Sequence, residues 1–319
     1  MSLKQEIITV LEQNRSNERC VSGQNLAERL GVSRAAVWKA IQALKDEGWE
    51  IEAATKRGYR LADTSDVLSA EGFLTSLGQS DVPVTVLSTV DSTNTLAKKM
   101  AADGSPHGSV IMAEEQTAGR GRMGRDFYSP AKTGLYMSVI LRPQIPMEDA
   151  LKLTVAAAVA VCRGMEQLSG EEPRIKWVND IFLHDRKICG ILTEAMGDFE
   201  SGMADSIVVG IGINVKTKDF PEELRGIAGS LGAGNRNALA AAVYRDLMAL
   251  SKDLTSPELM EEYRRRSLVL GREISFSRNG SRRGGRARAI NEAGNLIVDT
   301  NDGTEVLRAG EITIGSGTI

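Results

Sequence analysis

The sequence predicts an α+β protein in three parts: an N-terminal winged helix-turn-helix, a central domain built on a mixed sheet, and a small C-terminal β-barrel. Three observations indicate this division. Helical periodicity and then two short alternating runs fill the chain up to Ala62, strands alternate with helices through the middle, and short β runs with glycine turns follow Gly271. We therefore expect domains over residues 1–63, 64–270 and 271–319.

Composition narrows the class of protein. The formal net charge of −3 gives no general attraction to nucleic acid or an anionic membrane, so any such binding needs a local patch. Cys20, Cys162 and Cys189 form no CxxC or Cys/His cluster, which disfavours a zinc site or a disulfide framework. The N-terminus has no signal-peptide pattern, and the apolar runs are too short to span a bilayer. We expect a cytoplasmic protein with no membrane partner.

The N-terminal segment has the pattern of a winged helix. Apolar residues recur at helical spacing from Leu3 to Leu11, a second short helix covers Gly23–Leu30, and Ser33 can cap a third over Ser33–Glu47. Two alternating runs, at 49–53 and 59–61, then form a hairpin with a basic tip. The third helix is the expected recognition helix, and the hairpin is the wing.

Basic and polar side chains lie where a winged helix contacts DNA. The candidates are Ser33, Arg34, Trp38, Lys39 and Gln42 on the third helix, and Lys56 and Arg57 at the wing tip. Insertion of a helix into the major groove, with a backbone contact from the wing, requires this placement. A small three-helix domain with solvated basic residues would show the same periodicity. The placement nevertheless favours DNA binding.

The central part begins with a linker, Asp63–Asp66, and a strand over Val84–Val90 that ends in Asp91–Asn94, where a helix starts. Ser92, Thr93 or Asn94 could simply cap that helix. Hydroxyls and amides at a strand-to-helix junction are equally suited to hold a polar ligand head. Both interpretations remain open on this segment alone.

Arginine and glycine alternate over Gly119–Arg125, after a strand at Val110–Met112 and Gln116. Guanidinium groups present donor pairs that match carboxylate and phosphate oxygens. Glycine lets such a loop turn freely and leaves it costly to order. An anionic ligand that closes the loop explains the pattern, but so does a solvated surface loop or an RGG-like nucleic-acid contact.

A hairpin and a glycine-containing strand follow the buried helix expected at Ala150–Leu168. Arg174–Leu183 turns at 184–186 and returns from Lys187 to Leu192. In the strand at Ile207–Ile213, Gly210 and Gly212 fall on one face, ahead of Asn214. Glycine weakens a strand unless something must approach its backbone, which predicts a flat ligand there.

The C-terminal residues are expected to form five short strands. These are Glu273–Ser277, Ala287–Ile290, Leu296–Val298, Val306–Leu307 and Ile312–Ile314. A domain of this size has little core of its own, so we expect it to dock on the central domain. The basic stretch Arg278–Arg286 is either a second anion contact or a solvated loop, and we favour the loop.

Five motifs together resemble a known family, the bifunctional biotin–protein ligases that also act as biotin operon repressors. The motifs are Asp91-Ser92-Thr93-Asn94, Gln116-Thr117-Ala118-Gly119-Arg120-Gly121-Arg122, Lys176-Trp177-x-Asn179-Asp180, Lys187-x-x-Gly190-Ile191-Leu192 and Gly210-x-Gly212-x-Asn214. The resemblance covers essentially the whole chain. It implies a winged helix, a biotin/lipoate-ligase-like catalytic domain and an SH3-like barrel, in that order.

The resemblance also implies roles for matching residues. Those that hold biotin are Ser92, Thr93, Asn94 and Gln116; those of the loop that orders over the ligand are Arg120, Gly121 and Arg122. Lys187, before Gly190, would reach the biotin carboxylate and the reacting phosphate. Asn179 and Asp180 would organise the phosphate region, with Asp180 the Mg²⁺ ligand. Gly210, Gly212 and Asn214 would lie along the ligand. The catalytic residues would be Lys187, Arg122 and Arg120.

The implied activity is ATP-dependent. The biotin carboxylate attacks the α-phosphate of ATP, giving biotinyl-5′-adenylate and pyrophosphate, and a lysine of a biotin carboxyl carrier protein then displaces AMP. Cations at Arg120, Arg122, Lys187 and Mg²⁺ would stabilise charge on the phosphate oxygens, and the loop would shield the anhydride from water. No protein nucleophile is needed, which agrees with the lack of a Ser/His/Asp or Cys/His constellation.

Regulation follows from the combination of modules. If the adenylate orders loops that also form a homodimer surface, it would act as corepressor and bring two winged helices to operator DNA. Three alternatives stay open: a lipoate-type acyl ligase, a biotin-sensing repressor without ligase turnover, and an RNA-binding protein. Gln116 through Arg122 and the winged helix favour biotin over lipoate, and Lys187 favours an enzyme over a sensor.

Two positions depart from the family's pattern or are poorly matched by it. Val178 stands where the family usually has proline, a residue that fixes φ. We therefore expect a looser approach to Asn179 and Asp180, without loss of the chemistry. No motif identifies the residues that hold adenine, and Phe220–Pro221 is only a candidate.

Overall fold

The computed structural model describes residues 2–15, 20–54, 57–198, 201–278 and 281–314. The chain forms two compact units. One comprises Met1–Val82 with Asn235–Ala241, and the other comprises Pro83–Gly234 with Ala242–Ile319. The predicted winged helix, mixed sheet and small C-terminal β domain are all present, so the predicted fold class is confirmed. The domain boundaries at 63 and 270 stay a prediction.

The first unit is a winged helix followed by a short helix. Its elements are α1 (Leu3–Gln13), α2 (Gly23–Leu30), α3 (Arg34–Asp46), β1 (Ile51–Ala54), β2 (Gly58–Leu61) and α4 (Ala70–Leu77). Serine hydroxyls at Ser22 and Ser33 accept backbone N–H groups at the starts of α2 and α3, and Gly31 ends α2 at φ 65°. Ile7, Leu26 and Ile41 form the centre of a continuous apolar core.

The segment predicted as a linker is held by two arginines of the same unit. Arg15 Nη2 donates to the carbonyl oxygens of Ala62 and Asp63, at 3.1 Å each. Asp66 accepts from the backbone N–H and the Nε of Arg236, at 2.8 and 3.0 Å, and Arg236 is 1% exposed. A buried guanidinium needs such a partner. The connection is therefore a fixed part of the unit.

The second unit is built on a seven-stranded mixed sheet in the order β3-β4-β5-β9-β8-β7-β6. The strands are β3 (Val84–Leu87), β4 (Val110–Ala113), β5 (Gly134–Leu141), β6 (Arg174–Lys176), β7 (Asp180–Leu183), β8 (Arg186–Asp198) and β9 (Met203–Asn214). β3 and β4 are parallel, and the other pairs are antiparallel. The longest strands, β8 and β9, form the wall on which the site is built.

Four helices accompany this sheet: α5 (Thr93–Ala102), α6 (Ala150–Ser169), α7 (Arg236–Leu250) and α8 (Pro257–Arg265). The buried helix expected at Ala150–Leu168 is α6. Ala97 and Ala101 of α5 pack on Ile140 of β5 and Val208 of β9, which fixes the start of α5 over the sheet. Within the described residues, no helix is both long and apolar enough to cross a membrane.

The C-terminal strands form a five-stranded antiparallel sheet in the order β13-β12-β11-β10-β14. They are β10 (Glu273–Arg278), β11 (Ser281–Ile290), β12 (Leu296–Thr300), β13 (Gly303–Leu307) and β14 (Ile312–Ile314).

The expectation of a solvated loop at Arg278–Arg286 is wrong. Most of that stretch is the first half of β11, and Arg278 and Arg283 both form ion pairs with Glu305. Gly285 explains the missed strand, because an added Cβ would lie 2.5 Å from the carbonyl oxygen of Asp299. Because glycine has a low propensity for strands, a strand position that must be glycine is not recognised from the sequence pattern.

Candidate functional site

A cavity of about 400 Å³ lies in the second unit. The start of α5, the loop over residues 116–127 (the arginine loop), strands β7 to β9 and the residues leading into β14 form its walls. The predicted ligand-binding residues that line it are Ser92, Thr93, Asn94, Gln116, Arg120, Gly121, Arg122, Asn179, Asp180, Lys187, Gly190, Gly210 and Gly212. Asn214 is the predicted residue outside this lining. Motifs separated by more than a third of the chain therefore meet in one place.

The start of α5 serves as a cap and as a cavity wall at the same time. Ser92 caps the helix by accepting from the backbone N–H of Thr95. The backbone N–H and the hydroxyl of Thr93 both donate to Gln116 Oε1, at 2.8 and 3.1 Å, and Gln116 Nε2 donates to Ser129 Oγ at 3.0 Å. These bonds fix which way the Gln116 amide faces. One N–H of that amide is left to donate to a ligand oxygen.

Asn94 is buried and almost fully hydrogen-bonded. Its Nδ2 donates to the carbonyl oxygen of Leu192 at 3.1 Å and to Glu194 Oε2 at 2.9 Å. Its Oδ1 accepts from Ser138 Oγ at 2.7 Å. Because both amide N–H groups are used, only one acceptor position of Oδ1 remains for a ligand. Asn94 is thus chiefly a rigid part of the wall.

The two strand glycines are required by the chain itself. A Cβ on Gly210 would lie 2.0 Å from Asn94 Oδ1, and one on Gly212 would lie 2.5 Å from the Phe127 ring. The expectation that something closely approaches the backbone is therefore fulfilled by two side chains. The approach of a ligand to these glycines stays a prediction.

The arginine loop is folded into a tight reversal. The backbone N–H of Phe127 donates to Gly119 O at 2.9 Å, and that of Gly121 donates to Arg125 O at 2.7 Å. At the turn, Met123 and Gly124 have φ values of 56° and 73°, in the left-handed region that glycine tolerates best. Met123 and Gly124 therefore make the turn between the two sides of the loop.

The arginines of this loop point to different parts of the cavity. Arg122 Nη1 donates to Asn179 Oδ1 at 3.2 Å. Arg120 Nη2 instead donates to Thr95 Oγ1 at 3.0 Å and lies 3.8 Å from Glu194 Oε2. Arg122 therefore lies beside the Asn179-Asp180 motif, while Arg120 lies beside the start of α5. No sequence pattern predicts this divergence.

Cations and carboxylates meet at the other end of the cavity. Lys187 Nζ lies 2.8 Å from Asp180 Oδ1, across the neighbouring strands β8 and β7. Lys176, which the motif contained but which was not assigned a role, also lines the cavity, with its Nζ 5.6 Å from the centre of the Phe182 ring. Burial lowers the pKa of Lys176. This end is suited to bind several negative charges.

Hydrogen bonds with distant parts of the chain hold the segment around Val178. The peptide bond between Trp177 and Val178 is cis. Tyr263 donates to Val178 O at 2.9 Å, Trp177 Nε1 donates to Gly294 O at 2.9 Å, and Asn179 Nδ2 donates to Ile191 O at 2.8 Å. These bonds fix the approach to Asn179 without proline. The expected loosening stays a prediction.

Several cavity residues were not predicted. Leu224 and Ile227 come from the loop after β9, Phe127 from the arginine loop, and residues 310–313 from the C-terminal sheet. Ile227 is 57% exposed although apolar, and its carbonyl oxygen accepts from the backbone N–H of Lys187 at 2.9 Å. Phe220, the suggested adenine contact, packs against the Tyr128 ring. An exposed isoleucine has no sequence pattern that marks it as a binding residue.

Most of the predicted DNA-binding residues that the structure describes are exposed on the first unit. Ser33 caps α3 by accepting from the N–H of Ala36 at 3.1 Å. The exposed members are Ser33, Arg34, Trp38, Lys39 and Arg57, whereas Gln42 is half-buried. Trp38 is 56% exposed, which is unusual for so large an apolar side chain. Lys56 lies outside the described residues.

Comparison with known proteins agrees with this architecture. Residues 4–60 match an HTH domain, residues 86–214 match the Biotin/lipoate A/B protein ligase family, and residues 269–315 match the Biotin protein ligase C terminal domain. The structure is similar to a biotin protein ligase from Aquifex aeolicus in complex with biotin and ATP, with a TM-score of 0.61 and 27% identity, covering 73% of this chain and 98% of that one.

Full-length relatives identify the family. The chain is 36% identical to the bifunctional ligase/repressor BirA of Bacillus subtilis, over 98% of this chain and 99% of the relative. It is 32% identical to that of Escherichia coli, over 92% and 93%. Fold and site thus define a biotin/lipoate-type protein ligase joined to a DNA-binding module. The chain belongs to the family of bifunctional biotin–protein ligases and biotin operon repressors.

Proposed function

We propose that this protein activates biotin with ATP as biotinyl-5′-adenylate, transfers biotin to a lysine of a biotin carboxyl carrier protein, and represses biotin genes with the adenylate as corepressor. The observation that carries the proposal is the cavity in which the start of α5, the arginine loop and the Lys187–Asp180 pair meet. One end offers neutral donors and acceptors, and the other offers cations. An acid with a polar ring and a carboxylate tail, joined to a nucleotide, has the same polarity.

The proposed positions of the reactants follow from this polarity. The free N–H of Gln116 and the hydroxyls of Ser92 and Thr93 bind the ureido carbonyl oxygen and nitrogens of biotin. The carboxylate then points toward Lys187 and Arg122. Negative charge increases on the phosphate oxygens as the carboxylate attacks, so fixed cations at that end lower the barrier. Lys176 adds a third cation at the same place.

The contacts of Arg120 differ from those of the other two predicted catalytic residues, Lys187 and Arg122. Its contacts with Thr95 and Glu194 support a role in holding the arginine loop closed, more than one at the phosphates. In either role the closed loop keeps water from the mixed anhydride until the acceptor lysine arrives.

A Mg²⁺ ion at this site would be held by the protein together with the phosphates of the substrate ATP. Within the described part of the chain, no three His, Cys, Asp or Glu residues are grouped to hold a metal. Mg²⁺ at nucleotide sites is commonly held by one or two carboxylates together with substrate phosphates. Asp180 would be the protein ligand, and the ion would neutralise charge on the phosphates.

Adenine would lie against the loop after β9. Leu224 and Ile227 give that loop an apolar surface at the cavity. Asn214 is 5% exposed, and its Oδ1 has no hydrogen-bond partner among the described residues. A buried acceptor of this kind is costly unless it is satisfied. Because Asn214 lies outside the cavity lining, its contact with the nucleotide stays a prediction.

A ligation assay tests the enzymatic part. The protein is incubated with ATP, Mg²⁺, a biotin carboxyl carrier domain and either biotin or lipoate, and the mass of the carrier is measured. We expect addition of biotin alone, at a single lysine. Addition of lipoate would identify a lipoate-type ligase. Tight biotin binding without any labelling would identify a sensor, and both results would contradict the proposal.

The regulatory part of the proposal is that the protein is cytoplasmic and that its DNA binding depends on the adenylate. We expect the adenylate to favour a homodimer, so that two copies of α3 reach two half-sites of an operator. A gel shift on the promoters of the organism's own biotin genes should show at least tenfold tighter binding with adenylate than without. A variant with Arg34 and Lys39 replaced by alanine is the control and should lose the shift. Equal affinity with and without adenylate would exclude control by the ligand.

A further inference from the structure

Glu194 on β8 connects two parts of the site that no sequence motif connects. Its Oε1 lies 2.6 Å from Lys98 Nζ of α5, and its Oε2 accepts from Asn94 Nδ2 at 2.9 Å. Arg120 of the arginine loop lies 3.8 Å from the same Oε2. The carboxylate is therefore shared between the first turns of α5 and the loop.

The surroundings keep this carboxylate ionised. Partial burial raises the pKa of Glu194. Hydrogen bonds from Lys98 and Asn94 and the nearby charge of Arg120 together lower it by more, so the net shift of the pKa is downward. The side chain is 24% exposed, less than the 43% of Arg120. Because Glu194 is the more confined partner, it acts as the fixed point and Arg120 as the group that is held.

We propose that Glu194 is a positioning residue that sets the Asn94 amide in the wall of the biotin site and anchors the root of the arginine loop through Arg120. The proposal deepens the function proposed above and rests on it. Glu194 does not line the cavity, whereas Asn94 and Arg120 do, so it acts through those two residues.

The two contacts have different chemical requirements, which makes them separable. Asn94 needs only an acceptor oxygen, and a glutamine side chain provides one. Arg120 needs a negative charge, and glutamine has none. Removing the whole side chain removes both contacts and leaves one N–H of the buried Asn94 without its partner.

The test compares Glu194→Gln and Glu194→Ala in the full-length protein. Biotin affinity is measured by calorimetry without ATP, and adenylate release is measured by chasing bound biotinyl-5′-adenylate with unlabelled ligand. For Glu194→Gln we expect biotin affinity within twofold of the unmodified protein and adenylate release about twofold to fivefold faster, the range of a partly exposed ion pair. For Glu194→Ala we expect about tenfold weaker biotin binding as well, because an unpaired donor is costly.

Controls separate this role from general destabilisation. Glu273→Gln is the same change at an exposed strand position of the C-terminal sheet, and it should alter neither quantity. Thermal unfolding of each variant checks that the fold is kept. Unchanged adenylate release in Glu194→Gln, or unchanged biotin affinity in Glu194→Ala, would overturn the proposal. If the unmodified protein binds no biotin, the proposed function fails instead.

Discussion

Replacement of Lys187 by alanine should abolish adenylate formation while the protein stays folded. Lys187 Nζ meets Asp180 at 2.8 Å at the cationic end of the cavity. The loss of one fixed donor aimed at developing charge commonly lowers kcat by about 10²–10³-fold. The side chain is only half-buried, and the backbone hydrogen bonds of Lys187 to Ile227 and Gly229 do not depend on it. Pyrophosphate release in the presence of biotin and ATP measures the effect.

Two further lysine variants serve as controls for Lys187→Ala. Lys218→Ala removes an exposed lysine from the loop after β9 and should leave the rate unchanged. Lys176→Ala should give a smaller decrease than Lys187→Ala, because Lys176 lacks the direct contact with Asp180. A Lys187→Ala protein that forms adenylate at a near-normal rate would show that our assignment of this residue is wrong.

Replacement of Arg122 by glycine should release the adenylate prematurely. In the structure Arg122 ties the arginine loop to the Asn179-Asp180 motif through Asn179 Oδ1. Without that contact and charge, the loop opens more often and the reactive anhydride escapes. We expect adenylate to dissociate at least about tenfold faster, a loss of about 1.4 kcal/mol, and bystander proteins to be biotinylated on their lysines. Mass spectrometry of a mixture with an unrelated protein detects that labelling.

The control for Arg122→Gly lies one residue away. Met123→Gly introduces the same flexible residue into the same turn, at a φ of 56° that glycine adopts without strain. It removes no cation, so adenylate retention should be close to normal. Equal leakage from the two variants would assign the effect to flexibility, and tight retention by Arg122→Gly would contradict the shielding role.

The sequence determined the elements and most of the site residues, because local patterns carry that information. Helical periodicity and a serine cap predicted α3, a continuous apolar run predicted α6, and turn residues predicted the hairpin that carries Lys187. The residues of five motifs were predicted to bind one ligand because they resemble a family. Of the motif residues that the resemblance assigned to ligand binding, all except Asn214 line the same cavity.

Only the tertiary structure decided which side chains meet. Glu194 is about a hundred residues from Asn94, and Ile227 reaches the cavity from a loop without any motif. Gly210 and Gly212 showed that something lies close to β9, but not that it is Asn94 and Phe127. Local propensity depends on near neighbours in the chain, whereas these contacts depend on strand order and register across the sheet. For the same reason, two arginines one glycine apart contact opposite ends of one site.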